Sequence, residues 1–467
     1  MQPTFGVLSL LPCLLAIILA LVTRRILPSL LAGVACAVTI AGWEHPASVP
    51  ARTIDRLLDT AGEADTLRLV LFSVLMGSLL KLMKDSRSFE VIPRWLEQRA
   101  RGYGGRTVFG LTWALGTVLI LETWSNVLIS GTTLGSLYDR LGISRERLAY
   151  FIHTIGINVV ALVLINSWGA FYMALASSQG IADPLAFLAR SVPYFLYSWA
   201  SLLLVAFVMW TGLTIGPMRR TERHGRPGWN LRVEREPSAV VGGITDEPRV
   251  RYMVMPLVVL IGGVLLSLWI TGNGTLAAGD GAASVLYAVL AAILVMAVML
   301  RVDGVFDFAT LEQKIIAGMA EFIDVAILIV LALALGALSR ELGTGAYVAQ
   351  ILTSTVSLAA VPALIFLTGA AMSFATGTSY GTFSIMVPIA LPISAATHLP
   401  PELLFGACIA GGVFGDNCSP ISDTTIVSGM SANVPAVEHA RTQLPYALIA
   451  AAVATAGYLL IGFLVAR

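Results

Sequence analysis

Long apolar runs interrupted by short polar clusters organise this chain. Ser191 to Met218 contains no Asp, Glu, Lys or Arg, and neither does Leu342 to Pro401. A helix of roughly 20 apolar residues crosses a bilayer, so the pattern predicts an all-α polytopic membrane protein. Spans are expected near 6–22, 26–43, 67–83, 148–178 and 187–210, then near 252–271, 282–300, 316–339, 402–430 and 445–465. The first stretch lacks a basic leader and is followed by Arg24-Arg25, which favours a first membrane helix over a cleaved signal.

Two further apolar stretches, 107–138 and 357–397, are each too long for one helix and carry a polar break in the middle. The breaks read "ETWSN" (Glu122 to Asn126) and "TGTSYGT" (Thr376 to Thr382). Both are expected to fold as re-entrant hairpins, a form tolerated where protein or water satisfies the exposed backbone.

Charge supplies the orientation. Only 12% of the 467 residues are charged and 57% are hydrophobic, and basic residues near span ends mark the cytoplasmic side. The clusters are Arg24-Arg25, Lys81 to Arg106, and the loop from Arg219 to Arg251. Folding 107–138 as a hairpin keeps Arg140, Arg145 and Arg147 on that same side. The four cysteines lie in apolar segments without CxxC spacing, which suggests neither disulfides nor a zinc site.

The long polar loop divides the chain into repeats at 1–216 and 252–467, with 217–251 as a cytoplasmic linker. With a shift of 256, "LTWALGTVLILETWSN" falls on "LTGAAMSFATGTSYGT", and "INSW" (Ile165 to Trp168) on "ISDT" (Ile421 to Thr424). "MGSLLK" (Met76 to Lys81) matches "LGALSR" (Leu335 to Arg340) after a three-residue gap. Loop charges make these repeats inverted. The expected architecture is therefore two inverted-topology repeats, with about ten transmembrane helices, two re-entrant hairpins and broken helices. Transporters use this design, with the binding site where the breaks meet.

The densest chemistry is "GDNCSPISDTT", Gly415 to Thr425. An acid at bilayer depth costs about 2.5–3.5 kcal/mol on insertion scales, so Asp416 and Asp423 need water, a cation or partners. Pro420 removes an amide donor, which opens the helix near Ser419. The two carboxylates join Asn417, Ser419, Ser422, Thr424 and Thr425 in a set of hard oxygen ligands, suited to sodium, magnesium or calcium. At the second hairpin tip, Thr376, Thr378 and Ser379 add hydroxyls. The first-half counterparts are Glu122, Asn126, Asn166 and Ser167, with His153 on a neighbouring span as a proton-coupling candidate. Trp124, Trp168 and Tyr380 flank the breaks and are candidates to line an organic-substrate pocket. Two rivals need mention. An intramembrane aspartyl protease requires two carboxylates sharing a proton, usually on separate helices; a plain channel needs no repeat symmetry.

"SFATGTSYGTFSIMVPIALPI" and "GDNCSPISDTTIVSGMSANVPAVEHARTQLPYAL" resemble the paired C-terminal motifs of the NhaC-type sodium/proton antiporters. "SGTTLGSLYDRLGISRERLAYFIHTIGINVVALVLINSW" extends the resemblance into the first half. It implies a multi-pass antiporter of the bacterial inner membrane, a homodimer, with Na+ and H+ as transported ions and no cofactor. Some relatives couple such gradients to small organic acids or amines, so a sodium- or proton-coupled carrier of a small organic solute is the alternative. Many family members carry an acidic pair where this chain has Glu122-Thr123-Trp124, and an aspartate at the position of His153. The mechanism implied is competition: Asp416 and Asp423 hold either a cation or protons, and the site alternates between the two sides.

Overall fold

A computed structural model describes residues 5–23, 25–42, 48–88, 105–120, 123–223, 249–275, 279–344, 347 and 357–466. All regular structure among them is helical. The first half contains α1 (Leu11–Thr23), α2 (Ile26–Ala41), α3 (Val49–Gly62), α4 (Ala64–Asp85), α5 (Gly105–Val118), α6 (Thr123–Arg140), α7 (Arg145–Leu162), α8 (Ser167–Ser178), α9 (Pro184–Ser191) and α10 (Leu196–Thr211). A short α11 (Met218–Arg223) opens the linker. The second half contains α12 (Arg251–Thr271), α13 (Gly281–Val302), α14 (Phe308–Glu321), α15 (Ile323–Glu341), α16 (Val361–Thr376), α17 (Ser379–Thr397), α18 (Pro401–Cys418), α19 (Asp423–Ala432) and α20 (Ala436–Val465).

Helix boundaries carry the same offset as the sequence. The starts of α5, α6, α7 and α8 (105, 123, 145 and 167) lie 256 residues before those of α16, α17, α18 and α19 (361, 379, 401 and 423). The starts of α3 and α4 (49 and 64) lie 259 residues before those of α14 and α15 (308 and 323). The extra three residues are the gap that the sequence alignment required.

Among the described residues, seven helices are long and apolar enough to cross a membrane, or up to nine if each of two bent pairs is one span. The sequence count was ten. Of those ten, 6–22 and 26–43 fall short as the apolar helices Gly6–Ala20 and Ile26–Ala41, and 402–430 is divided, while two of the nine lie within 357–397. Leu358–Thr376 and Ser379–Thr397 each have the length and apolarity of a full span, so length alone does not require 357–397 to be re-entrant.

Three expected spans are interrupted and a fourth is extended. The stretch 148–178 is α7 and α8, bent by 44° across 163–166, and 187–210 is likewise bent, by 50°. The stretch 402–430 breaks at 419–422, where Pro420 stands. The last helix starts at Ala436 instead of 445, which draws Glu438, His439 and Gln443 into its first turns. Of the linker, 224–248 lies outside the described residues.

The halves share one core. Buried residues of α2, α4 and α8 form a single cluster with those of α13, α15, α17 and α18. Glycine permits the closest crossing in the second half. A Cβ on Gly411 would stand 2.5 Å from the Phe366 carbonyl, and one on Gly415 2.3 Å from the Phe374 nitrogen. This small-xxx-small spacing lets the α18 backbone lie directly on α16, which carries Asp416 to the α16–α17 tip.

Candidate cation site

Asp416 occupies the last turn of α18 and is 3% exposed. The chain leaves the helix at Ser419 in an extended conformation (φ −72°, ψ 129°), crosses Pro420, and re-enters helix after Ser422. The α16–α17 tip fits against this break. Gly377 adopts φ +70°, which ends α16, and a Cβ there would lie 2.9 Å from the Ile421 carbonyl. Thr378 then caps α17, its side chain accepting from the Gly381 amide at 3.4 Å.

Three hydroxyls therefore converge on one carboxylate. Ser379 Oγ donates to Asp416 Oδ2 at 2.5 Å, Thr424 Oγ1 donates to Oδ1 at 2.8 Å, and Ser422 Oγ also donates to Oδ1. Ser422 and Thr424 hydroxyls lie 2.8 Å apart. Thr425 Oγ1 donates to the Asp416 carbonyl at 3.4 Å, and Ser373 and Ser379 hydroxyls reach the Gly412 carbonyl at 2.6 and 3.3 Å. Ser379 and Thr424 stand in the first turns of α17 and α19, whose positive dipole ends favour an ionised carboxylate. Carboxylate, hydroxyl and carbonyl oxygens form a hard donor set. Among the described residues no group of three or more His, Cys, Asp or Glu side chains is placed to hold a metal, so this site has the chemistry of one charge plus neutral oxygens.

A second cluster adjoins it. His153 Nε2 lies 3.1 Å from Thr424 Oγ1, and His153 Nδ1 lies 3.0 Å from His439 Nε2 and 3.3 Å from Gln443 Nε2. Gln443 Nε2 donates to both the carbonyl and Oδ1 of Asn417. His153, His439, Asn417 and Gln443 are buried. Bordering this cluster, Tyr150, Thr154, Tyr197, Ser201, Leu204, Asn417, Tyr446 and Ala447 line a cleft too constricted to hold a water molecule.

Residues 159–463 match the sequence profile of the Na+/H+ antiporter family. The chain belongs to that family. It is 30% identical over 98% of its length to an uncharacterized protein of Haemophilus influenzae, covering 91% of that protein. It also matches the Na+/H+ antiporter NhaC of Bacillus subtilis at 35% identity, over 17% of this chain and 18% of that protein. Among solved structures, the YdaH transporter of Alcanivorax borkumensis superposes with a TM-score of 0.59 at 17% identity, covering 89% of this chain and 90% of that one, a likeness of fold. The protein is thus a multi-pass membrane protein of a transporter family whose substrates are monovalent cations.

In this antiporter the site residues expected from sequence separate into groups. Asp416, Ser379, Ser422 and Thr424 form the cradle. Asp423 does not join it: the side chain is exposed, and its Oδ1 accepts from the Thr424 amide at 2.6 Å. Asp423 opens α19, and its side chain leaves on the outer side of the helix while Thr424 points inward, a direction that spacing does not reveal. Ser419 is buried, and its Oγ accepts from the Ile421 amide at 3.4 Å, which serves the turn. Thr376 Oγ1 returns to the Met372 carbonyl at 2.8 Å, within its own helix.

The first-half residues do a different job. Asn126 Nδ2 donates to the Gly116 and Leu119 carbonyls at 2.8 and 2.9 Å. Asn166 donates to the Ile120 and Val160 carbonyls at 3.1 and 2.9 Å while its Oδ1 caps α8 through the Gly169 amide at 2.9 Å. These amides satisfy backbone groups that the breaks expose, and Ser167 is buried beside them. Asp416 has Val160 as its counterpart 256 residues earlier. Glu122 lies outside the described residues.

Trp168 packs 5.5 Å from Tyr380 and 5.9 Å from Phe383, ring centre to ring centre, joining the first-half break to the second-half tip. Trp124 is exposed. Sequence reading missed His439 and Gln443, because the polar cluster Glu438 to Gln443 was placed before the last span. Their i, i+4 spacing puts both on one helix face, a usable signal once the helix is started at Ala436.

Proposed function

We propose that this chain is a sodium/proton antiporter in which Asp416 is the exchanging carboxylate. The observation that carries the reading is the buried Asp416 side chain, met by three hydroxyls where two helix starts and one helix end converge. Sodium enters by displacing the proton on Asp416. The Ser379, Ser422 and Thr424 hydroxyls rotate to present lone pairs, and the cation takes the place of their donated hydrogens. When sodium leaves, a proton restores neutrality. Proton and cation exclude one another at the same oxygens, so each crosses only in exchange.

The same reading makes the two halves inverted repeats that rock around the site. The first half, with neutral Asn126 and Asn166 at its breaks, acts as scaffold, and the second half carries the charge. Asp423 is an outer acid and not a primary ligand. We place the protein in the bacterial inner membrane as a homodimer, with sodium and protons as cargo and no resident cofactor.

Adding sodium to purified protein at fixed pH should release protons, and Asp416→Asn should abolish the release. Sodium binding without release would exclude competition at a shared carboxylate. A second reading has one specific support, the Trp168–Tyr380 group beside Ser379. A 93-residue match to the malate-2H+/Na+-lactate antiporter of Bacillus subtilis, covering about a fifth of each chain, points the same way. Under it the cradle couples sodium to a small organic solute. Solute-dependent currents in proteoliposomes under a sodium gradient would favour it over simple exchange.

A further inference from the structure

The cradle and the histidine cluster form one continuous hydrogen-bonded line: Asp416 Oδ1, Thr424 Oγ1, His153, His439. Its polarity follows from Asp416. The carboxylate oxygen can only accept, so the single hydrogen of Thr424 Oγ1 points to Asp416 Oδ1. Toward His153 Nε2, at 3.1 Å, the same hydroxyl can then only accept. A neutral His153 therefore carries its hydrogen on Nε2, donates to Thr424 Oγ1, and leaves Nδ1 as an acceptor. His439 Nε2, at 3.0 Å from the same acceptor, carries a hydrogen as well. Every donor in the line points toward Asp416.

From this geometry we infer that His439 and His153 are the proton-transfer residues of the antiporter, passing protons between the linker side of the protein and Asp416. The inference rests on the reading of Asp416 as the exchanging carboxylate. A proton arriving at His439 Nδ1 releases the Nε2 hydrogen to His153 Nδ1. His153 passes its Nε2 hydrogen to Thr424 Oγ1, and Thr424 passes its own to Asp416 Oδ1. One proton enters, one lands on the carboxylate, and both imidazoles and the hydroxyl are neutral before and after. When sodium enters the cradle the line runs in reverse and restores the starting tautomers. His439 Nδ1 is the open end, buried and without a hydrogen-bond partner among the described residues.

Position agrees with this direction. The Tyr446 hydroxyl accepts from the Ile215 amide at 3.0 Å, three residues before α11, so the early turns of α20 face the linker end of the molecule. Charged groups on the packed elements are Arg145, Glu146 and Arg147 of α7, Asp423 of α19, and Glu438 and Arg441 of α20; Arg145 pairs with Asp139 at 2.7 Å, Arg147 with Glu222 at 3.8 Å, and Glu438 with Arg441 at 3.8 Å. Asp416 is the acid that the line itself reaches.

The test uses the full chain in proteoliposomes and compares two modes of exchange. Sodium/proton exchange needs the line, whereas exchange of radioactive sodium for sodium does not. His439→Gln retains a donor toward His153 but has no second nitrogen to accept from beyond. It should slow sodium/proton exchange at least about tenfold and change sodium/sodium exchange less than about twofold. His153→Gln should behave alike. Sodium/proton exchange within twofold of wild type in His439→Gln overturns the inference, as does an equal loss of both modes in a well-folded protein. Should that variant fail to fold, wild-type protein in D2O decides. Sodium/proton exchange should slow about twofold with sodium/sodium exchange unchanged, and identical slowing of both overturns the relay. Asp416→Asn distinguishes the underlying reading, since loss of sodium/sodium exchange there supports the cradle whatever His439 does.

Discussion

Replacing Asp416 by Asn is the sharpest perturbation of the site, because it changes charge while keeping shape. The wild-type carboxylate is 3% exposed and accepts from three hydroxyls. At an effective dielectric of about 20, a sodium ion roughly 3 Å from the carboxylate charge gains roughly 5 kcal/mol. Asparagine keeps one acceptor oxygen and an amide dipole, which recovers part of this. A net loss of about 3 kcal/mol corresponds to at least about a hundredfold in sodium affinity. The variant has no acid to release a proton, so sodium addition should leave the pH of a weakly buffered solution unchanged.

Stability moves the other way in the absence of sodium. Asparagine is neutral without taking up a proton, so sodium-free Asp416→Asn should melt near the wild-type temperature where Asp416 is protonated, and above it at high pH, where the wild type must bury a charge. Wild-type protein should gain about 2.7 kcal/mol at a sodium concentration a hundred times its dissociation constant, and the variant almost nothing over that range. Sodium-dependent thermal melts in detergent, with lithium and potassium as comparisons, read this directly. The reasoning fails if Asp416→Asn shows the wild-type sodium midpoint within about tenfold and still releases protons.

Asp423→Asn should lower exchange less than about tenfold, well short of Asp416→Asn, because its side chain lies outside the cradle; equal loss in the two variants of a proteoliposome assay would refute the assignment. Asn166→Ala removes donors from the buried Ile120 and Val160 carbonyls and the cap of α8, and should cost about 2–4 kcal/mol by thermal melt. Gly415→Ala places a Cβ 2.3 Å from the Phe374 nitrogen and 2.4 Å from Ser373 Cβ, so α16 and α18 must separate and exchange should be lost. Gly262→Ala, with nothing within 4 Å of the new Cβ, is the paired control. It should match wild type or gain up to about 1 kcal/mol in the same melt.

Much of this protein is legible in one dimension because the bilayer is a strict solvent. Backbone groups inside it must be paired, so an apolar run of span length becomes a helix and a polar break must be served. Hence the repeat register, found from residue types, also marks where helices start: Thr123 with Ser379, Arg145 with Pro401, Ser167 with Asp423. Asp416 declared itself by its cost among apolar neighbours, and Pro420 marked the break that follows it.

What remained hidden was direction around each helix and contact between distant segments. Asp416 and Asp423 look equivalent in sequence, seven residues apart across a break whose dihedral angles were unknown. Only the fold sends one carboxylate into the cradle and the other out. His439 looked like loop because charged and amide residues surround it; its meeting with His153, 286 residues away, depends on α20 packing beside α7. Composition and period thus determined which segments leave water and where they must break. Long-range packing, through the glycine-lined crossing of α16 and α18, decided which polar atoms meet, since hydrogen bonds act over a few ångströms and no local pattern brings residues of separate helices that close.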